Sequence, residues 1–391
     1  MLKMGMIGAG ARSVWVAKYI CDEGEKDEIK VVAVADPGDE ETVKWCANEA
    51  KFNGYDDFKL YKSAEEMLEN EKLDGVIIGT RCNLHTKYAE LVAKYDIPLY
   101  LEKPVATTVE DLEKLKKLMH MNDKTVVSFP LRVTTLSDKA KEILESGALG
   151  TISQVQAWNN VPYGLVYYKD WYRDDSVTGG LFLQKMTHDF DYINYVIKEG
   201  GKRTPIRVCA MQSKLIFKGD MPAGQKCADC PKKADCLEEV EKLRAGGEDV
   251  FRKEDCCFAE DTGNQDCGSI LLQYDDGLHV SYTQNFVVRK GKFTARRGMR
   301  IIGYLASLEF DLYEGKVYLT YHHDNRQEVF APNGGNGSHM GGDKYLAKSF
   351  VEVMRGTGKS VAPLYDGILS ANVCLMARES AENYKFMDIK F

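Results

Sequence analysis

The 391-residue sequence lacks several features that would place it in common classes of protein. It has no apolar run that approaches the ~18 residues needed to cross a membrane. Its first apolar residues, from Met4 to Ile7, lead straight into a glycine turn instead of a signal-peptide core and cleavage site. It also has no dense cluster of lysine and arginine that could follow a nucleic-acid backbone. We therefore expect a cytoplasmic protein with neither a nucleic-acid nor a membrane partner.

The composition is that of a large globular protein. Hydrophobic residues make up 44% of the chain and charged residues 28%, and the formal net charge is −7. This balance excludes disordered and fibrous proteins. Because a domain usually contains about 100–200 residues, the length predicts at least two domains.

The first third of the chain alternates short aliphatic runs with segments of helical spacing. The aliphatic runs are Lys3–Ile7, Val31–Ala35, Gly75–Gly79, Pro98–Leu101 and Thr125–Phe129. Such alternation predicts parallel strands joined by helices. Two of the helices have capping signals at their start, Ser63 with Glu66 and Thr108 with Asp111. Residues 1–130 are therefore predicted to form a doubly wound, nucleotide-binding α/β domain of the Rossmann type.

A glycine turn at residues 8–13 directly follows the first strand and precedes a helix with one apolar face. Gly8 permits the tight turn, and Gly10 lets the backbone approach a pyrophosphate at the N-terminus of the helix. Ala11 and Arg12 continue the turn and are predicted to contact the cofactor with the two glycines. Ser13 replaces the third glycine of the usual pattern and is still small enough for close packing.

Asp36 makes the glycine turn more specific. It ends the second strand, a little over twenty residues beyond the turn. A carboxylate at that place accepts hydrogen bonds from the ribose hydroxyls and repels a 2′-phosphate, which predicts NAD as the cofactor instead of NADP. The alternative is an ordinary turn aspartate before Pro37.

Two further segments follow predicted strand ends, where ligands bind in open α/β sheets. They are Thr80–His85 and the Glu-Lys-Pro segment at residues 102–104. With the glycine turn, they closely resemble the glucose-fructose oxidoreductase/inositol dehydrogenase (Gfo/Idh/MocA) family, and the resemblance extends through His188 to Asp343. It implies that the cofactor is bound by a set of strand-end residues, Thr80, Asn83, His85, Glu102 and Lys103.

The resemblance also implies a second domain. Residues 131–391 should form a substrate-binding α+β domain with a large, mostly antiparallel open sheet and a homo-oligomer interface, in a dimer or tetramer. The sequence independently becomes rich in β-type runs after Ile152. Two of these runs, Ile270–Tyr274 and Leu278–Phe286, are joined across Asp275-Asp276-Gly277, which is typical of a hairpin turn.

Lys103 is the best candidate for a catalytic base. Oxidation of a secondary alcohol requires hydride to leave the carbon while a base takes the hydroxyl proton. A cationic nicotinamide nearby and partial desolvation would lower the pKa of the Lys103 ammonium from about 10.4. The alternative is an exposed lysine before a proline. The resemblance also implies a cis peptide bond between Lys103 and Pro104.

The resemblance places a second catalytic cluster between Gln184 and Asp191. Inositol dehydrogenase-like members have an aspartate where this sequence has Gln184, so their lysine–aspartate–histidine triad does not transfer whole. Gln184 is instead predicted to bind substrate. Lys185 and His188 are three residues apart and should share a helix face, where both could pass protons to substrate hydroxyls. A solvated lysine and a structural histidine are the alternatives, and Asp191 either orients His188, thereby serving the substrate site, or lies on the helix surface.

An aromatic and cationic segment at residues 167–173 precedes this cluster. Aromatic rings stack against the apolar face of a pyranose, while arginine donates hydrogen bonds to its hydroxyls or to an acidic substituent. Tyr168, Trp171 and Arg173 are therefore predicted to contact substrate, and a core aromatic patch is the alternative. The segment resembles the branch of the family that oxidises glycosides.

A glycine-rich loop runs from Asn333 to Asp343. It is too flexible in composition to form a core element. The resemblance places His339 and Asp343 near the mouth of the substrate site, and a solvated loop is the alternative.

The eleven cysteines are the one unusual count, because most of them are clustered. The spacing C-x2-C-x5-C-x19-C predicts a structural zinc ion, with an iron–sulfur cluster or free or disulfide-linked thiols as alternatives. The charged surroundings at about 218–260 predict an insertion with little apolar core of its own. Its predicted ligands are Cys227, Cys230, Cys236 and Cys256 or Cys257.

The leading functional hypothesis is an NAD-dependent dehydrogenase that acts on a secondary ring hydroxyl of a sugar, glycoside or cyclitol, with C3 as a candidate carbon. A rival enzyme is an NAD-dependent glycosidase that oxidises C3, eliminates the aglycone, adds water and returns the hydride. A different class is a non-catalytic sensor that binds NAD or sugar. The presence of Lys103 favours an enzyme over the sensor.

Overall fold

The computed structural model describes residues 1–24, 28–49, 57–198, 203–245, 254–289, 294–333 and 338–391. The chain divides into two compact units. The first unit comprises Met1–Asp138, Thr187–Tyr195 and Asn333–Asn372. The second comprises Lys139–Met186, Val196–Pro332 and Val373–Phe391. Among the helices in these described ranges, none is long and apolar enough to cross a membrane.

A six-stranded parallel sheet organises the first unit. Its strands are β1 (Leu2–Ile7), β2 (Ile29–Ala35), β3 (Lys59–Tyr61), β4 (Gly75–Ile78), β5 (Leu99–Leu101) and β6 (Thr125–Val127). Their order across the sheet is β3-β2-β1-β4-β5-β6, and every neighbouring pair is parallel. This is the order of a doubly wound dinucleotide-binding sheet, so the ligand edge is the carboxyl end of the strands.

The helices that precede β6 follow the predicted alternation with the strands. In the described ranges the helices are α1 (Ala11–Asp22), α2 (Glu40–Glu49), α3 (Ala64–Asn70), α4 (His85–Ala93), α5 (Val109–Lys116), α6 (Thr135–Glu145), α7 (Val166–Lys169), α8 (Asp175–Thr178), α9 (Thr187–Ile197), α10 (Val240–Ala245), α11 (Gly342–Met354) and α12 (Leu364–Asn383). The Ser63 hydroxyl accepts from the Glu66 N–H at 3.1 Å and begins α3. The Thr108 hydroxyl accepts from the Asp111 N–H at 3.1 Å and begins α5. Both predicted caps are confirmed.

A nine-stranded sheet organises the second unit. Its strands are β7 (Ile152–Asn160), β8 (Pro205–Ser213), β9 (Cys267–Tyr274), β10 (His279–Asn285), β11 (Arg296–Gly303), β12 (Ala306–Asp311), β13 (Lys316–Tyr321), β14 (Gln327–Phe330) and β15 (Met387–Asp388). The order is β14-β13-β12-β11-β7-β10-β9-β8-β15, with β7 and β10 parallel and the other pairs antiparallel. The predicted hairpin joins β9 to β10, with Gly277 at φ +90°. The predicted fold class is confirmed.

An aromatic cluster packs within the second unit. It includes Val161, Leu165, Tyr167, Tyr168, Leu181, Phe217, Leu243, Cys257 and Phe286, all buried. Phe217, Leu243 and Cys257 belong to the segment that connects β8 to β9, which contains α10. That segment corresponds to the predicted insertion, whose residues 246–253 lie outside the described ranges. The connection therefore takes its apolar core from the rest of the unit, because it contributes few large apolar side chains itself.

Candidate functional site

The glycine turn at residues 8–10 connects β1 to α1. Gly8 adopts φ +85°, a conformation that side chains with a Cβ rarely take. A Cβ on Gly8 would also lie 2.9 Å from the carbonyl oxygen of Gly79 and from the backbone nitrogen of Thr80. The end of β1 therefore contacts the end of β4 so closely that only glycine fits.

Gly10 caps the N-terminus of α1 and faces open space. A Cβ there would meet only the Gly79 oxygen, at 4.0 Å. Gly79 itself packs on Ser13, because a Cβ on Gly79 would lie 2.4 Å from that of Ser13. The first-turn N–H groups of a helix lack partners within the helix, and the turn leaves room in front of them. The backbone of Gly10 and Ala11 can therefore receive a pyrophosphate.

Asp36 lies at the end of β2, beside the turn. Its carboxylate oxygens accept hydrogen bonds at 2.8 Å, one from the Ala9 N–H and the other from the Gly38 N–H. Each oxygen has a second lone pair with which to accept from a ribose hydroxyl. The carboxylate is thus held in place at the position that distinguishes a ribose 2′-hydroxyl from a 2′-phosphate.

The Arg12 side chain forms three hydrogen bonds within the first unit. Its guanidinium donates to Glu102 at 3.0 Å, to Asp343 at 2.6 Å and to the Ser128 hydroxyl at 3.1 Å. Burial opposes the charged form, but the two carboxylates outweigh it and raise the pKa of Arg12. The sequence predicted cofactor contacts for Arg12 and Glu102. The Arg12 guanidinium and the Glu102 carboxylate form an ion pair, and this pair holds the turn against the end of β5.

The segment after β4 contributes two kinds of side chain. Thr80 is half-buried and Asn83 is exposed, so both can face a ligand at the sheet edge. The His85 ring is buried, with Nδ1 2.7 Å from the Pro104 oxygen and Nε2 3.2 Å from the Thr80 oxygen. Burial lowers the pKa of His85. His85 thus joins two strand-end segments to each other, and its predicted cofactor contact stays a prediction.

The Lys103–Pro104 peptide bond is cis, as expected. It follows directly from the carboxyl end of β5, and the Lys103 side chain is half-buried. Its neighbour Glu102 is 7% exposed and paired with Arg12. Lys103 is therefore the cationic side chain of this segment that stands at the ligand edge of the parallel sheet.

His188 and His339 lie next to each other in the first unit. His188, from the first turn of α9, is 6% exposed and meets the edge of the Phe129 ring at 6.1 Å between centroids. The His339 ring lies 6.0 Å from that of His188. Asp343 accepts a hydrogen bond from His339 Nδ1 at 2.9 Å. The structure brings together two predicted histidines at one place, although residues 334–337 of their loop lie outside the described ranges.

Asp191 does not lie on the helix surface, which was one of the two alternatives for it. Its carboxylate is buried and paired with the buried guanidinium of Arg132, which also donates to Asp366 at 2.8 Å. A buried carboxylate needs such a cation, because desolvation makes an isolated charge costly. Asp191 therefore joins two stretches of the first unit through Arg132, and its predicted roles toward His188 and substrate stay predictions.

The segment before α9 is not an α-helix. Residues Phe182–Met186 form one turn of π-helix, a geometry that is frequent at functional sites. The boundary between the two units falls after Met186, so Lys185 and His188 belong to different units, and their shared role stays a prediction. Gln184 is buried and donates to the Thr178 carbonyl at 3.2 Å, so its amide supports the local backbone. Its predicted substrate contact stays a prediction.

Lys185 is held among aromatic rings. Its ammonium donates to the Tyr163 hydroxyl at 2.5 Å and lies 4.2 Å from the Tyr163 ring centroid and 5.1 Å from that of Tyr167. The lysine is 6% exposed, which contradicts the alternative of a solvated helix lysine. A desolvated cation on aromatic faces is stabilised by the ring quadrupoles. The phenol can exchange a proton with the ammonium or with a bound hydroxyl.

The aromatic segment at 167–173 divides between core and surface. Tyr168 is fully buried in the aromatic cluster, and its hydroxyl donates to the Gln265 carbonyl at 2.7 Å. Arg173 is buried and forms ion pairs with Asp255 and Asp261. Both side chains thus have partners within the protein, and their predicted substrate contacts stay predictions. Trp171 is half-buried and stacks on Tyr172 at 3.9 Å, so it can still offer a face to a ligand.

Five cysteines line one small cavity in the second unit, about 10 Å³ in volume, with the buried Lys169. The Lys169 ammonium donates to the Cys227 sulfur at 3.2 Å and to the Asp255 carbonyl at 3.4 Å. Burial raises the pKa of the Cys256 and Cys257 thiols. Across the described ranges, no three His, Cys, Asp or Glu side chains form a group that could hold a metal ion. The metal prediction is therefore not supported, since a lysine cation already occupies the place beside Cys227. The cavity thiols are Cys227, Cys230, Cys236, Cys256 and Cys257.

Sequence reasoning missed two residues that contact predicted site residues. Ser128 follows the end of β6 and binds Arg12, so the strand-end rule that selected Thr80 and Lys103 could have selected it too. Tyr163 holds Lys185, but it lies more than twenty residues away in the sequence, and no local pattern connects the two.

Two family models match this chain. The one described as "Oxidoreductase family, NAD-binding Rossmann fold" matches residues 2–129. The one described as "GFO/IDH/MocA C-terminal domain" matches residues 137–309. The two matches correspond to the parallel sheet and to most of the nine-stranded sheet.

Individual proteins show the same likeness. YteT of Bacillus subtilis (strain 168) is 25% identical over 246 residues, which are 56% of this chain and 56% of YteT. Myo-inositol 2-dehydrogenase of Thermotoga maritima is 26% identical over 144 residues, which are 36% of this chain and 41% of that protein. The chain thus spans about half the length of the curated relatives it matches.

A solved structure of levoglucosan dehydrogenase, in complex with NADH and levoglucosan, is similar over 99% of both chains. Its TM-score is 0.72 at 17% sequence identity, which shows a shared fold. Taken with the two family matches and the glycine turn at the end of β1, this likeness establishes that the chain belongs to the Gfo/Idh/MocA family of oxidoreductases and carries its NAD-binding Rossmann domain.

Proposed function

We propose that this protein is an NAD-dependent dehydrogenase that oxidises a secondary ring hydroxyl of a sugar, glycoside or cyclitol. The observation that carries the proposal is the content of the first unit. It contains a dinucleotide turn, a lysine at the ligand edge of the sheet and two adjacent histidines, all on one scaffold. The names of two similar proteins, an inositol dehydrogenase and a levoglucosan dehydrogenase, support a polyhydroxylated ring as substrate.

The cofactor would be held by the turn and by Asp36. Gly10 and Ala11 present backbone N–H groups to the pyrophosphate, and the Asp36 carboxylate accepts from the ribose hydroxyls. Its negative charge disfavours the 2′-phosphate of NADP, which supports NAD. When bound, NAD supplies the acceptor for the hydride.

Lys103 would take the proton of the hydroxyl. A base must lie within hydrogen-bond reach of the hydroxyl, and Lys103 stands at the carboxyl end of β5, where ligands bind in this type of sheet. Its neutral amine accepts the hydroxyl proton as hydride leaves the carbon that carries the hydroxyl. In the reduction direction, the ammonium returns the proton to the oxygen. The half-buried environment of Lys103 limits competition from bulk water.

The remaining polar side chains would bind the other ring hydroxyls. His188 and His339 can each donate or accept, and a ring substrate offers several hydroxyls to them. Both histidines belong to the first unit, which also carries the dinucleotide turn. Since Gln184 stands where inositol dehydrogenases have an aspartate, the selection of the hydroxyl should differ from theirs.

The test is a substrate screen that follows NADH absorbance. Monosaccharides, glycosides and inositols are each supplied with NAD, and aryl glycosides are followed in parallel for release of the aglycone. The proposal expects net NADH formation with at least one compound. Aglycone release without net NADH would instead establish a redox-neutral glycosidase.

Lysine variants connect the activity to the site. Lys103→Ala should lower kcat by about 100-fold or more, the usual contribution of a general base. Lys72→Ala, at an exposed lysine between α3 and β4, is the matched control and should keep full activity. A Lys103→Ala enzyme with near-normal kcat would remove Lys103 from the chemistry, and NAD binding without turnover of any compound would refute the dehydrogenase proposal.

A further inference from the structure

The backbone before α11 has an unusual conformation. His339 and Met340 have φ values of 49° and 56°, and Gly341 has φ 85°, so three consecutive residues are left-handed. Residues with a Cβ seldom adopt this conformation singly and rarely do so in succession. Such backbones persist where the surroundings hold them, and they concentrate at functional sites. The side chain of His339 is presented by this turn.

Asp343 is the group that holds the turn. It lies in the first turn of α11 and is 2% exposed. One carboxylate oxygen accepts from His339 Nδ1 at 2.9 Å, and the other accepts from Arg12 at 2.6 Å. Burial works to raise the pKa of Asp343, but the charge of Arg12 and the hydrogen bonds from His339 and Arg12 outweigh it. The pKa therefore falls well below its usual range, and Asp343 stays ionised.

Arg12 connects this carboxylate to the dinucleotide turn. It is two residues beyond Gly10, on the first turn of α1. Its guanidinium also binds Glu102, the residue that precedes Lys103, at 3.0 Å. A row of direct contacts thus runs from the phosphate-binding turn through Asp343 to His339, whose ring lies 6.0 Å from that of His188.

We propose that Asp343 is a positioning residue that fixes the tautomer of His339, and that Arg12 couples the His339–His188 pair to occupation of the dinucleotide turn. The Asp343 carboxylate keeps the hydrogen of His339 on Nδ1, so Nε2 is the nitrogen that gains or loses a proton. The same negative charge stabilises the imidazolium form of His339. This inference rests on the proposed function only for the claim that the two histidines face a substrate.

The charged and titratable groups around His339 come from several elements. Asp343 lies on α11, Arg12 on α1 with Glu102 on its far side, and His188 on α9. Arg12 and His188 oppose a positive charge on His339, whereas Asp343 favours it. Loss of the Asp343 charge should therefore make the imidazolium harder to form.

The test is a titration of the His339 imidazole by NMR in the full-length protein, with no substrate present. Asp343→Asn preserves the shape and the hydrogen-bond acceptor but removes the charge, so the midpoint should fall by about 1–3 pH units. Asp366→Asn removes a carboxylate elsewhere in the first unit and should leave the midpoint unchanged. An unchanged midpoint in Asp343→Asn would overturn the positioning role, whether or not a substrate is ever found.

The coupling to the dinucleotide is tested with NAD alone. Saturating NAD should shift the His339 resonances of the unmodified protein, and Arg12→Gln should abolish that shift at full NAD occupancy. Because the first of these measurements uses no variant, the coupling can be refuted even if a variant fails to fold. Unperturbed His339 resonances on NAD binding would overturn the coupling and leave the proposed dehydrogenase activity to its own test. With a substrate in hand, Asp343→Asn should move the pH profile of kcat in step with the midpoint, which a purely structural role would not do.

Discussion

The buried ion pair of Arg132 offers the sharpest prediction about stability. Arg132 is 3% exposed, and its guanidinium donates to Asp191 at 3.0 Å, to Asp366 at 2.8 Å and to the Val361 carbonyl at 2.9 Å. These partners come from the three separate stretches of chain that make the first unit. Removing the cation in Arg132→Met would leave the Asp191 carboxylate buried without a counter-charge.

The expected cost is about 3–5 kcal/mol in the free energy of unfolding at pH 8, the range for breaking one side of a buried pair. The cost should depend on pH. Burial raises the pKa of Asp191 to about 7, and Arg132 opposes that rise, so the pKa climbs further in the variant. A carboxyl whose folded pKa exceeds its unfolded value of ~3.9 destabilises the fold as pH rises through that interval. The loss should therefore shrink between pH 8 and pH 5.

Denaturant unfolding monitored by circular dichroism at both pH values measures this. The double variant Arg132→Met with Asp191→Leu removes both charges and should recover a large part of the loss, because an apolar replacement of a whole pair is often neutral. A single variant within about 1 kcal/mol of the parent protein at pH 8, or a loss that is the same at both pH values, would refute the reasoning.

Two further predictions concern the glycine turn and the cysteine cavity. Gly79→Ala puts a Cβ 2.4 Å from that of Ser13, so NAD should bind about tenfold more weakly in calorimetry. Ser13→Gly in the same chain should restore most of the affinity. No change in the Kd for NAD would contradict the packing argument. Cys257 is 1% exposed and the pKa of its thiol is raised. At pH 8, iodoacetamide should therefore modify the half-exposed Cys230 well before Cys257, as measured by mass spectrometry. Equal modification rates at the two cysteines would contradict the burial of Cys257.

Much of the first unit could be predicted because its signals are local. A strand followed by glycines and a helix is contiguous in sequence, and caps such as Ser63 require only the next three residues. β3 was missed because it has three residues, Lys59–Tyr61, too few to show a period. It is defined by pairing with β2, which no local pattern reveals.

The site was harder to predict because burial decides the role of a side chain. Tyr168 and Trp171 belong to one aromatic run, yet Tyr168 lies in the core and Trp171 remains half-exposed. The sequence indicates a cofactor contact for Arg12. It gives no sign that Asp343, more than three hundred residues later, binds the Arg12 guanidinium. The turn of π-helix at Phe182–Met186 is likewise not indicated by any helical spacing of apolar residues in the sequence. Spacing selected the candidate residues, whereas their partners required the fold.

The first unit is discontinuous in the chain, and this has a consequence for protein synthesis. All six strands of its sheet are translated before α11, whose Phe350 ring packs against Tyr100 at 5.7 Å between centroids. A nascent chain folds domain by domain as it leaves the ribosome. In this protein, the apolar surface of the first unit that α11 covers stays exposed to solvent while the chain up to β14 is translated. Truncation before Asn372 would therefore yield a sheet prone to aggregation or to capture by chaperones.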